Sequence, residues 1–354
     1  MHDEGHLPLS FICTWLSRNI VETWFDMMES PGFSLRADSP GTSPRPGIVG
    51  AATIVLEPVS AVTLSESPLL SGIVPTGGST IAYAQSMLDT LHDAELGLKY
   101  NVRNGLQVMV SDGRHLGIRQ TGSEVIEKRL ERVRGIIGWI EKNASRQPHL
   151  KILAYGQQQY QEISSAIGQA AIDALFLASE EKHILLSDDL ALRRLAASLN
   201  VAAISTQELL ASMLSQGIIS HEAYSIELMR LYHMQMRGLY VDASVFEDMC
   251  SSVGWDVTHV PEDVFGVLSN KNLGNAGPTV AAGFIRAIFM NIQDPRVRSI
   301  SWWPQVFKAL ANGRNPQRAF KEALTSVSSA MPFVLLLHKE LADFAGSWLQ
   351  IRGL

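Results

Sequence analysis

Cysteine is scarce in this sequence: Cys13 and Cys250 are the only two among its 354 residues. Two cysteines are too few for a disulfide framework, so we predict a protein of a reducing, cytoplasmic compartment. No apolar run approaches the roughly 18 residues that a membrane-spanning helix requires. The N-terminus carries acids where a signal peptide has a basic region. We therefore expect no membrane partner.

Motifs of several enzyme classes are also missing. The sequence contains no Walker loop, no GxGxxG fingerprint, no HExxH zinc motif and no GxSxG serine-hydrolase turn. The glycine-rich run at residues 77–80 lacks the lysine of a phosphate-binding loop. These absences argue against the nucleotide-binding, zinc-protease and serine-hydrolase classes that those motifs define.

The charge balance is mildly acidic, with 29 Lys and Arg against 35 Asp and Glu and a net charge of −6. Such a chain has no overall attraction to a polyanion, so a nucleic-acid partner would require a local basic patch. One helix face carries Lys128, Arg129, Arg132 and Arg134, but glutamates interrupt it. We expect a solvated helix face there, with contact to a phosphate backbone as the alternative.

The character of the sequence changes twice along the chain. Residues 1–46 hold one predicted helix, Phe11 to Met28, followed by a stretch rich in Ser, Pro and Gly that is typical of a linker. Residues 47–217 alternate short apolar strands with helices, which predicts the α/β class with a parallel sheet flanked by helices. Residues 218–354 are mostly helical, so we predict an all-helical C-terminal domain.

Periodicity and turn residues predict the individual elements of the middle segment. Thr121 and Glu124 are expected to form a capping box at the start of a helix that ends at Asn143. The other elements are strands at 54–56, 151–154 and 183–186, a strand pair at 106–110 and 116–119, and helices at 83–91 and 160–181.

Acidic residues follow the predicted strands or lie in the helices beside them. Glu57 closes the first strand, and Asp188 and Asp189 follow the strand at 183–186. Asp89 and Asp173 lie within helices. Strand-terminal acids emerge at the carboxyl edge of a parallel sheet, where ligands bind. Converging carboxylates repel each other, and Mg²⁺ or Mn²⁺ relieves that repulsion.

A simpler interpretation of the Asp188–Asp189 pair stays open. Asp is a favoured helix N-cap and stabilises the first helical turn electrostatically. The simplest expectation for Asp173 is a solvated residue on a helix surface, although its apolar neighbours indicate partial burial.

The segment from about residue 50 to residue 215 resembles the PIN-domain nucleases. The strongest part runs from Ile172-Asp173-Ala174 through the strand Leu185-Leu186 to Ser187-Asp188-Asp189, which looks like the closing pattern of that family. Upstream, Ile54-Val55-Leu56-Glu57 lies where the family has its first strand and first acid. The helix with Asp89 lies where the family has its second acid.

The resemblance implies a set of site residues. Glu57, Asp173 and Asp189 would bind Mg²⁺ or Mn²⁺, and Asp89 is the nearest candidate for a fourth catalytic acid. Ser187 would support the site. From their position one turn past Asp189, either Arg193 or Arg194 is expected to meet a phosphate. Asp188 occupies the variable position, where a solvent-facing side chain is expected. The sequence departs from the family by having Glu for the usual first Asp, and Asp for the usual second Glu.

By resemblance, the expected function is metal-dependent phosphodiester hydrolysis, with RNA or another single-stranded nucleic acid as substrate, in a bacterial endoribonuclease of PIN type. The alternative is a catalytically decayed PIN-like scaffold or regulatory module. In that case the helical half would bind a protein partner or close a homo-oligomer. Glu57 in place of Asp and the acidic net charge favour this alternative.

Overall fold

The structure is a computed structural model that describes residues 7–29, 34–37, 53–73, 80–104, 106–111, 116–148, 157–268, 277–312, 314–331 and 335–351. The described residues group into two compact units, one that ends at Leu209 and one that consists of Ala37 and the described residues from Leu210 onward. Residues 7–36 belong to the first unit, together with residues 53–209. In these ranges, no helix has the length and apolar character needed to cross a membrane.

The first unit alternates strands and helices as the sequence predicts. Its strands are β1 (Leu35–Arg36), β2 (Thr53–Leu56), β3 (Thr80–Tyr83), β4 (Leu106–Ser111), β5 (Leu116–Thr121), β6 (Ser145–Arg146), β7 (His183–Leu186) and β8 (Ala203–Ile204). Its helices are α1 (Leu9–Trp15), α2 (Ile20–Glu29), α3 (Pro58–Glu66), α4 (Pro68–Ile73), α5 (Gln85–Asn104), α6 (Ser123–Asn143), α7 (Gln157–Ile167), α8 (Gln169–Ala178) and α9 (Leu190–Ser198). Helix α10 (Thr206–Ser215) follows β8.

The main sheet has five parallel strands in the order β6-β3-β2-β7-β8. Strands β3 and β6 are added in turn on one side of β2. The chain then crosses to the other side of β2, where β7 and β8 are added. The boundary between β2 and β7 is the topological switch point, and ligands of open α/β sheets bind outside the carboxyl ends of the strands at such a point. This arrangement confirms the predicted α/β class with a parallel sheet flanked by helices.

Apolar strands covered by apolar helices hold the sheet together. Residues Val55 of β2 and Leu185 of β7 are completely buried, and the inward residues of α8 pack against them in one hydrophobic cluster. A strand buried on both faces reads as a continuous apolar run, which is the pattern of Ile54-Val55-Leu56 and Ile184-Leu185-Leu186. Burial of each such side chain stabilises the fold by roughly 1.5–3 kcal/mol.

Two helices predicted as continuous are each broken in the structure. The predicted helix from Phe11 to Met28 is two helices, α1 and α2, and Ser17 between them has a positive φ of 53°. The predicted helix from Tyr160 to Glu181 divides into α7 and α8 at Gly168, whose φ is +94°. Glycine adopts that conformation without the steric cost that a Cβ brings. The break matters because it places Asp173 in the second turn of α8 instead of the middle of a long helix.

The helix α6 begins without the predicted capping box. Thr121 is the last residue of β5, and Gly122 is the N-cap and makes no side-chain cap. The strand pair β4–β5 is antiparallel, as predicted. The predicted strand at residues 151–154 lies outside the described residues, and the edge of the sheet is formed by β6.

Acidic partners occupy most of the basic face of α6. Arg129 is buried, and its guanidinium donates to Asp26 at 2.7 Å and to Glu29. The other two arginines donate to acids on α3 and α5: Arg132 to Glu66 and Arg134 to Glu95. This face therefore ties α2, α3 and α5 to α6, and its contact with a phosphate backbone stays a prediction.

The second unit is helical, as predicted. Its elements are β9 (Met236–Arg237), α11 (His221–His233), α12 (Ala243–Ser252), a 3-10 turn (Val257–His259), α13 (Glu262–Gly266), α14 (Gly277–Asn291), α15 (Pro295–Val297), a π-helical turn (Arg298–Trp302), α16 (Trp303–Ala311), α17 (Pro316–Ala330) and α18 (Leu335–Ile351). Aromatic rings fill its core: Phe246 stacks on Phe284 at 3.9 Å and meets Trp302 edge-on. A buried ion pair of 2.6 Å joins Arg298 to Glu340.

Replacing Gly168 by Ala should destabilise the first unit by about 1–2 kcal/mol, because φ +94° is strained for any residue with a Cβ. An added Cβ would also lie 3.1 Å from Thr14 Oγ1. Gly138→Ala in α6 is the matched control. A Cβ there meets nothing within 4 Å, so a stabilisation of up to about 1 kcal/mol is expected. Equal effects of the two changes in urea unfolding would contradict this account.

Candidate active site at the carboxyl edge of the sheet

The switch point between β2 and β7 brings acids from distant parts of the sequence together. Leu56 pairs with Leu186 in the parallel register, so Glu57 and Ser187 leave the sheet side by side. Neighbouring strands lie about 4.8 Å apart. Glu57, Asp188 and Asp189 are all buried, so three carboxyl groups share a small region from which water is largely excluded.

Glu57 is only 1% exposed and caps helix α3. Its two carboxylate oxygens accept the N–H groups of Val59 at 2.8 Å and Ser60 at 2.9 Å, and Ser60 Oγ accepts from the N–H of Glu57. This is a capping box with the roles of acid and hydroxyl exchanged. Pro58 is well suited to the first position of α3, because a residue there has no helical partner for its N–H and proline has no N–H to satisfy.

The pKa of Glu57 is raised to about 8, chiefly because burial penalises the charged carboxylate. The two N–H groups that it accepts lower the pKa, and the negative charges of Asp189 and Asp188 raise it. The three acids therefore interact electrostatically.

Asp189 is the N-cap of helix α9. Its Oδ1 accepts the N–H groups of Ala191 at 2.9 Å and Leu192 at 3.3 Å. Its Oδ2 accepts the N–H of Leu9, the first residue of α1. The capping interpretation of Asp189 is thus confirmed, and it does not exclude a second role because each carboxylate oxygen has two acceptor positions.

Asp188 does not face solvent, contrary to the sequence-based expectation. It is 1% exposed, and its carboxylate accepts both the N–H and the hydroxyl of Thr206, each at 2.8 Å. Burial raises the pKa of Asp188, whereas the bonds from Thr206 and the positive charge of Arg193 lower it. The physical reason for the burial is that Thr206 follows the neighbouring strand β8 and supplies both donors.

Arg193 and Ser187 shape the turn after β7. Arg193 is buried, and its Nη1 donates to the carbonyl oxygen of Ser187 at 2.6 Å. The fully buried Ser187 accepts the N–H of Asp189 at its hydroxyl oxygen. In this arrangement Arg193 offsets the charge of Asp188 from inside the fold. Contact of Arg193 or Ser187 with a substrate stays a prediction.

Asp173 reaches the same edge of the sheet from α8. Its Oδ2 accepts from Ser86 Oγ and its Oδ1 from the Tyr160 hydroxyl, both at 2.6 Å. Ser86 lies just past β3, so Asp173 lies at the carboxyl end of the strand next to β2, and Glu57 follows β2. Asp173 is 4% exposed. Burial and the carboxylate together raise the pKa of Tyr160, so the phenol keeps its proton.

Asp89 lies one turn past Ser86 on α5 and is exposed. Its Oδ1 accepts from Gln85 Nε2 at 2.7 Å. Within the described ranges, no hydrogen bond joins Asp89 to the other candidate acids, so its membership of the site stays a prediction.

The residues at this edge have the ligand type that a divalent cation prefers, but their positions fit a cation only in part. Carboxylate oxygens are the ligands that Mg²⁺ and Mn²⁺ prefer, and a cation would relieve the repulsion from Asp189 and Asp188 that adds to the effect of burial on the pKa of Glu57. Among the described residues, however, no three acidic, histidine or cysteine side chains are grouped closely enough to hold a metal ion. The carboxylates instead accept donors from the protein.

Sequence reasoning missed the groups that hold these acids. Thr206, Ser86 and Tyr160 supply hydrogen bonds to Asp188 and Asp173, and Leu9 supplies one to Asp189. The sequence could have indicated Ser86 and Thr206, because each follows a strand that neighbours a strand ending in an acid. No local pattern points to Leu9, which lies 180 residues from Asp189.

A comparison with protein families identifies this domain. Its fold is a parallel α/β sheet with buried acids at the switch point. Residues 55–198 match the family model described as the PIN domain associated with the TPR-GreAB-C-PIN system. This segment of the chain is a PIN domain, and it includes Glu57, Asp173 and Asp189. Neither the curated proteins nor the solved structures gave a significant match.

The raised pKa of Glu57 predicts that stability falls as the pH rises from about 5 to 8 in metal-free buffer. Between the ordinary value of 4.5 and the folded value of about 8, the folded state holds a proton that the unfolded state has released, so raising the pH favours unfolding. Glu57→Gln removes this titration. Urea unfolding at pH 5.5, 7 and 8.5 should show a flatter dependence for the variant, and parallel curves would contradict the assignment.

Proposed function

We propose that this protein is a metal-dependent phosphodiesterase of PIN type that cleaves RNA, with Mg²⁺ or Mn²⁺ bound at the carboxyl edge of the sheet. The observation that supports this most strongly is the convergence of Glu57, Asp188 and Asp189 at the switch point of the sheet. The match of residues 55–198 to a PIN-domain family supports it as well. We also propose a cytoplasmic location.

In this proposal Glu57, Asp173 and Asp189 hold the cation. When bound, such a cation lowers the pKa of a coordinated water and stabilises the charge that develops on a phosphodiester. Tyr160 and Ser86 fix the orientation of Asp173 through their hydrogen bonds. Residues that orient metal ligands in this way commonly change metal affinity or activity by 10- to 100-fold when they are mutated.

Asp188 and Arg193 have a supporting role in the same proposal. Asp188 is held by Thr206, and the charge of Arg193 favours its carboxylate form. The pair keeps the turn after β7 in place, which positions the neighbouring Asp189. Ser187 contributes to the same turn through its bond from the Asp189 N–H.

The second candidate function is a catalytically decayed PIN domain that acts as a scaffold or regulatory module. The observation in its favour is that both oxygens of Glu57, Asp173 and Asp189 accept hydrogen bonds from the protein itself. The family usually has Asp at the position of Glu57, and the longer side chain of Glu57 also favours the scaffold candidate. In this case the helical half binds a protein partner or a second copy of the chain.

Removing a proposed ligand tests the first candidate directly. Asp189→Asn and Asp173→Asn should each reduce Mn²⁺-dependent cleavage of single-stranded RNA by at least about 10- to 100-fold, the scale found even for residues that only support metal ligands. Asn keeps the size of the side chain and, at position 189, an oxygen that can cap α9. Asp93→Asn, at an exposed acid of α5 outside the candidate set, is the matched control, and Asp89→Asn separately tests the fourth candidate acid. Cleavage at the parental rate in both ligand variants would exclude the assignment.

Metal titration separates the two candidates without an RNA substrate. A cation that binds the folded protein raises its stability by about 2.7 kcal/mol at a concentration of 100 times the Kd. The metal-dependent enzyme should therefore melt at a higher temperature in Mn²⁺, and Asp189→Asn should lose most of that shift. A decayed scaffold should show no shift in either protein.

A further inference from the structure

An exposed arginine lies at the same edge of the sheet as the candidate acids. Arg146 is the last residue of β6, and it pairs with Tyr83 of the neighbouring parallel strand β3. Because parallel strands end at a common edge, Arg146 leaves the sheet on the side where Glu57 follows β2 and Ser187 follows β7. Those two residues are buried, whereas Arg146 is exposed. The edge that carries the acids therefore also presents a positive side chain to solvent.

The guanidinium of Arg146 has a neutral partner. Its Nη1 donates to Oε1 of Gln85, the first residue of α5, at 2.9 Å. The arginines of α6 differ, because Arg129, Arg132 and Arg134 each donate to a carboxylate. In the part of the chain that the structure describes, Arg146 forms no ion pair. Its charge is thus held in place without being neutralised, and such a guanidinium can still donate to an anion.

Asp89 orients the amide that holds Arg146. Gln85 Nε2 donates to Asp89 Oδ1, one turn further along α5, at 2.7 Å. An amide carries its donors on the nitrogen and its acceptor on the oxygen, so a Gln85 that donates to Asp89 presents Oε1 to Arg146. The contacts therefore run from Asp89 through Gln85 to Arg146, and all three side chains belong to exposed residues.

The same turn of α5 also holds one of the candidate acids. Ser86, the residue after Gln85, donates to Asp173 Oδ2 at 2.6 Å. Ser86 and Asp173 are buried, whereas Gln85 is exposed. Two consecutive residues of one helix thus fix a buried acid of the proposed site and an exposed cation beside it.

We propose that Arg146 binds a phosphate of single-stranded RNA and that Gln85 and Asp89 position it. The inference rests on the proposed function, because it concerns how that substrate is held at the same edge of the sheet. It assigns Asp89 a place outside the set of metal ligands, as a positioning residue that acts through Gln85. With a net charge of −6, the chain needs a local cation of this kind to attract a polyanion. The five N–H donors of a guanidinium can serve Gln85 and a phosphate together.

RNA binding without metal tests the role of Arg146. The affinity of the full-length protein for a fluorescein-labelled oligouridine is measured by anisotropy in EDTA over a series of salt concentrations, so that neither a cation nor cleavage enters the result. Arg146→Ala should weaken binding about three- to tenfold at low salt. It should also reduce the slope of log K against log salt by about 0.7, the contribution of one contact to a single-stranded phosphate.

Arg103→Ala is the matched control for this measurement. Arg103 is also exposed, but it lies near the other end of α5, so its loss should change neither the affinity nor the slope. Both variants should melt at the parental temperature, because each change removes an exposed side chain.

Two substitutions of Asp89 separate positioning from charge. Asp89→Asn and Asp89→Ala both remove the negative charge, but only Asn keeps an oxygen that accepts from Gln85. Asp89→Ala should therefore bind RNA at least about twofold more weakly than Asp89→Asn, and the difference should vanish in the Arg146→Ala background. Asp89→Asn should also cleave RNA at the parental rate, which the loss of a metal ligand would not allow.

The outcomes that would overturn the inference differ in what they leave standing. The same affinity and salt slope in Arg146→Ala and the parent would refute the phosphate contact and leave the metal-dependent function open to its own tests. Equal losses in Arg146→Ala and Arg103→Ala would show attraction by charge alone and would also refute it. Equal affinities of Asp89→Ala and Asp89→Asn would refute the positioning role. No binding of RNA by the parent would refute the inference together with RNA as the substrate.

Discussion

The structure depends on how one edge of a sheet accommodates buried negative charge. The switch point between β2 and β7 places Glu57, Asp188 and Asp189 close together and away from water. Burial of a charge is costly unless the charge is paired, hydrogen-bonded or neutralised. Each acid is accommodated in a different way. Glu57 accepts two N–H groups of α3, and its raised pKa favours the uncharged form. Asp188 is held by Thr206 and the charge of Arg193, and Asp189 accepts N–H groups from two helices. The turns, caps and neighbouring helices of the first unit are arranged around this requirement.

These contacts also make structural and catalytic roles compatible at one residue. Asp189 caps α9, and Asp173 joins α8 to the first turn of α5 through Ser86. Selection for stability alone would therefore retain these acids after activity was lost, which is why acids at a switch point do not by themselves distinguish an enzyme from a scaffold. What distinguishes them is whether the acids exchange their protein donors for a metal ion.

Local sequence patterns predicted the α/β class, the strands β2 and β7, the hairpin β4–β5 and the helical C-terminal half, because each of these follows from hydrophobic periodicity. They failed where a single backbone angle decides the outcome. Gly168 lies inside an apolar helical pattern, and only its φ of +94° shows that the helix ends there. They also failed where tertiary contacts decide burial: Asp188 has the sequence neighbours of a solvent-facing residue, and Thr206 draws it inward. The contact of Leu9 with Asp189 has no local signal at all.

The central claim is that the acids of the switch point bind a divalent cation, and crystals grown in millimolar Mn²⁺ test it most directly. The account predicts an anomalous scattering peak between Glu57 and Asp189. A map without a manganese peak at this edge, in which Leu9 still donates to Asp189 and Tyr160 to Asp173, would contradict the account and favour a PIN domain that has become a scaffold.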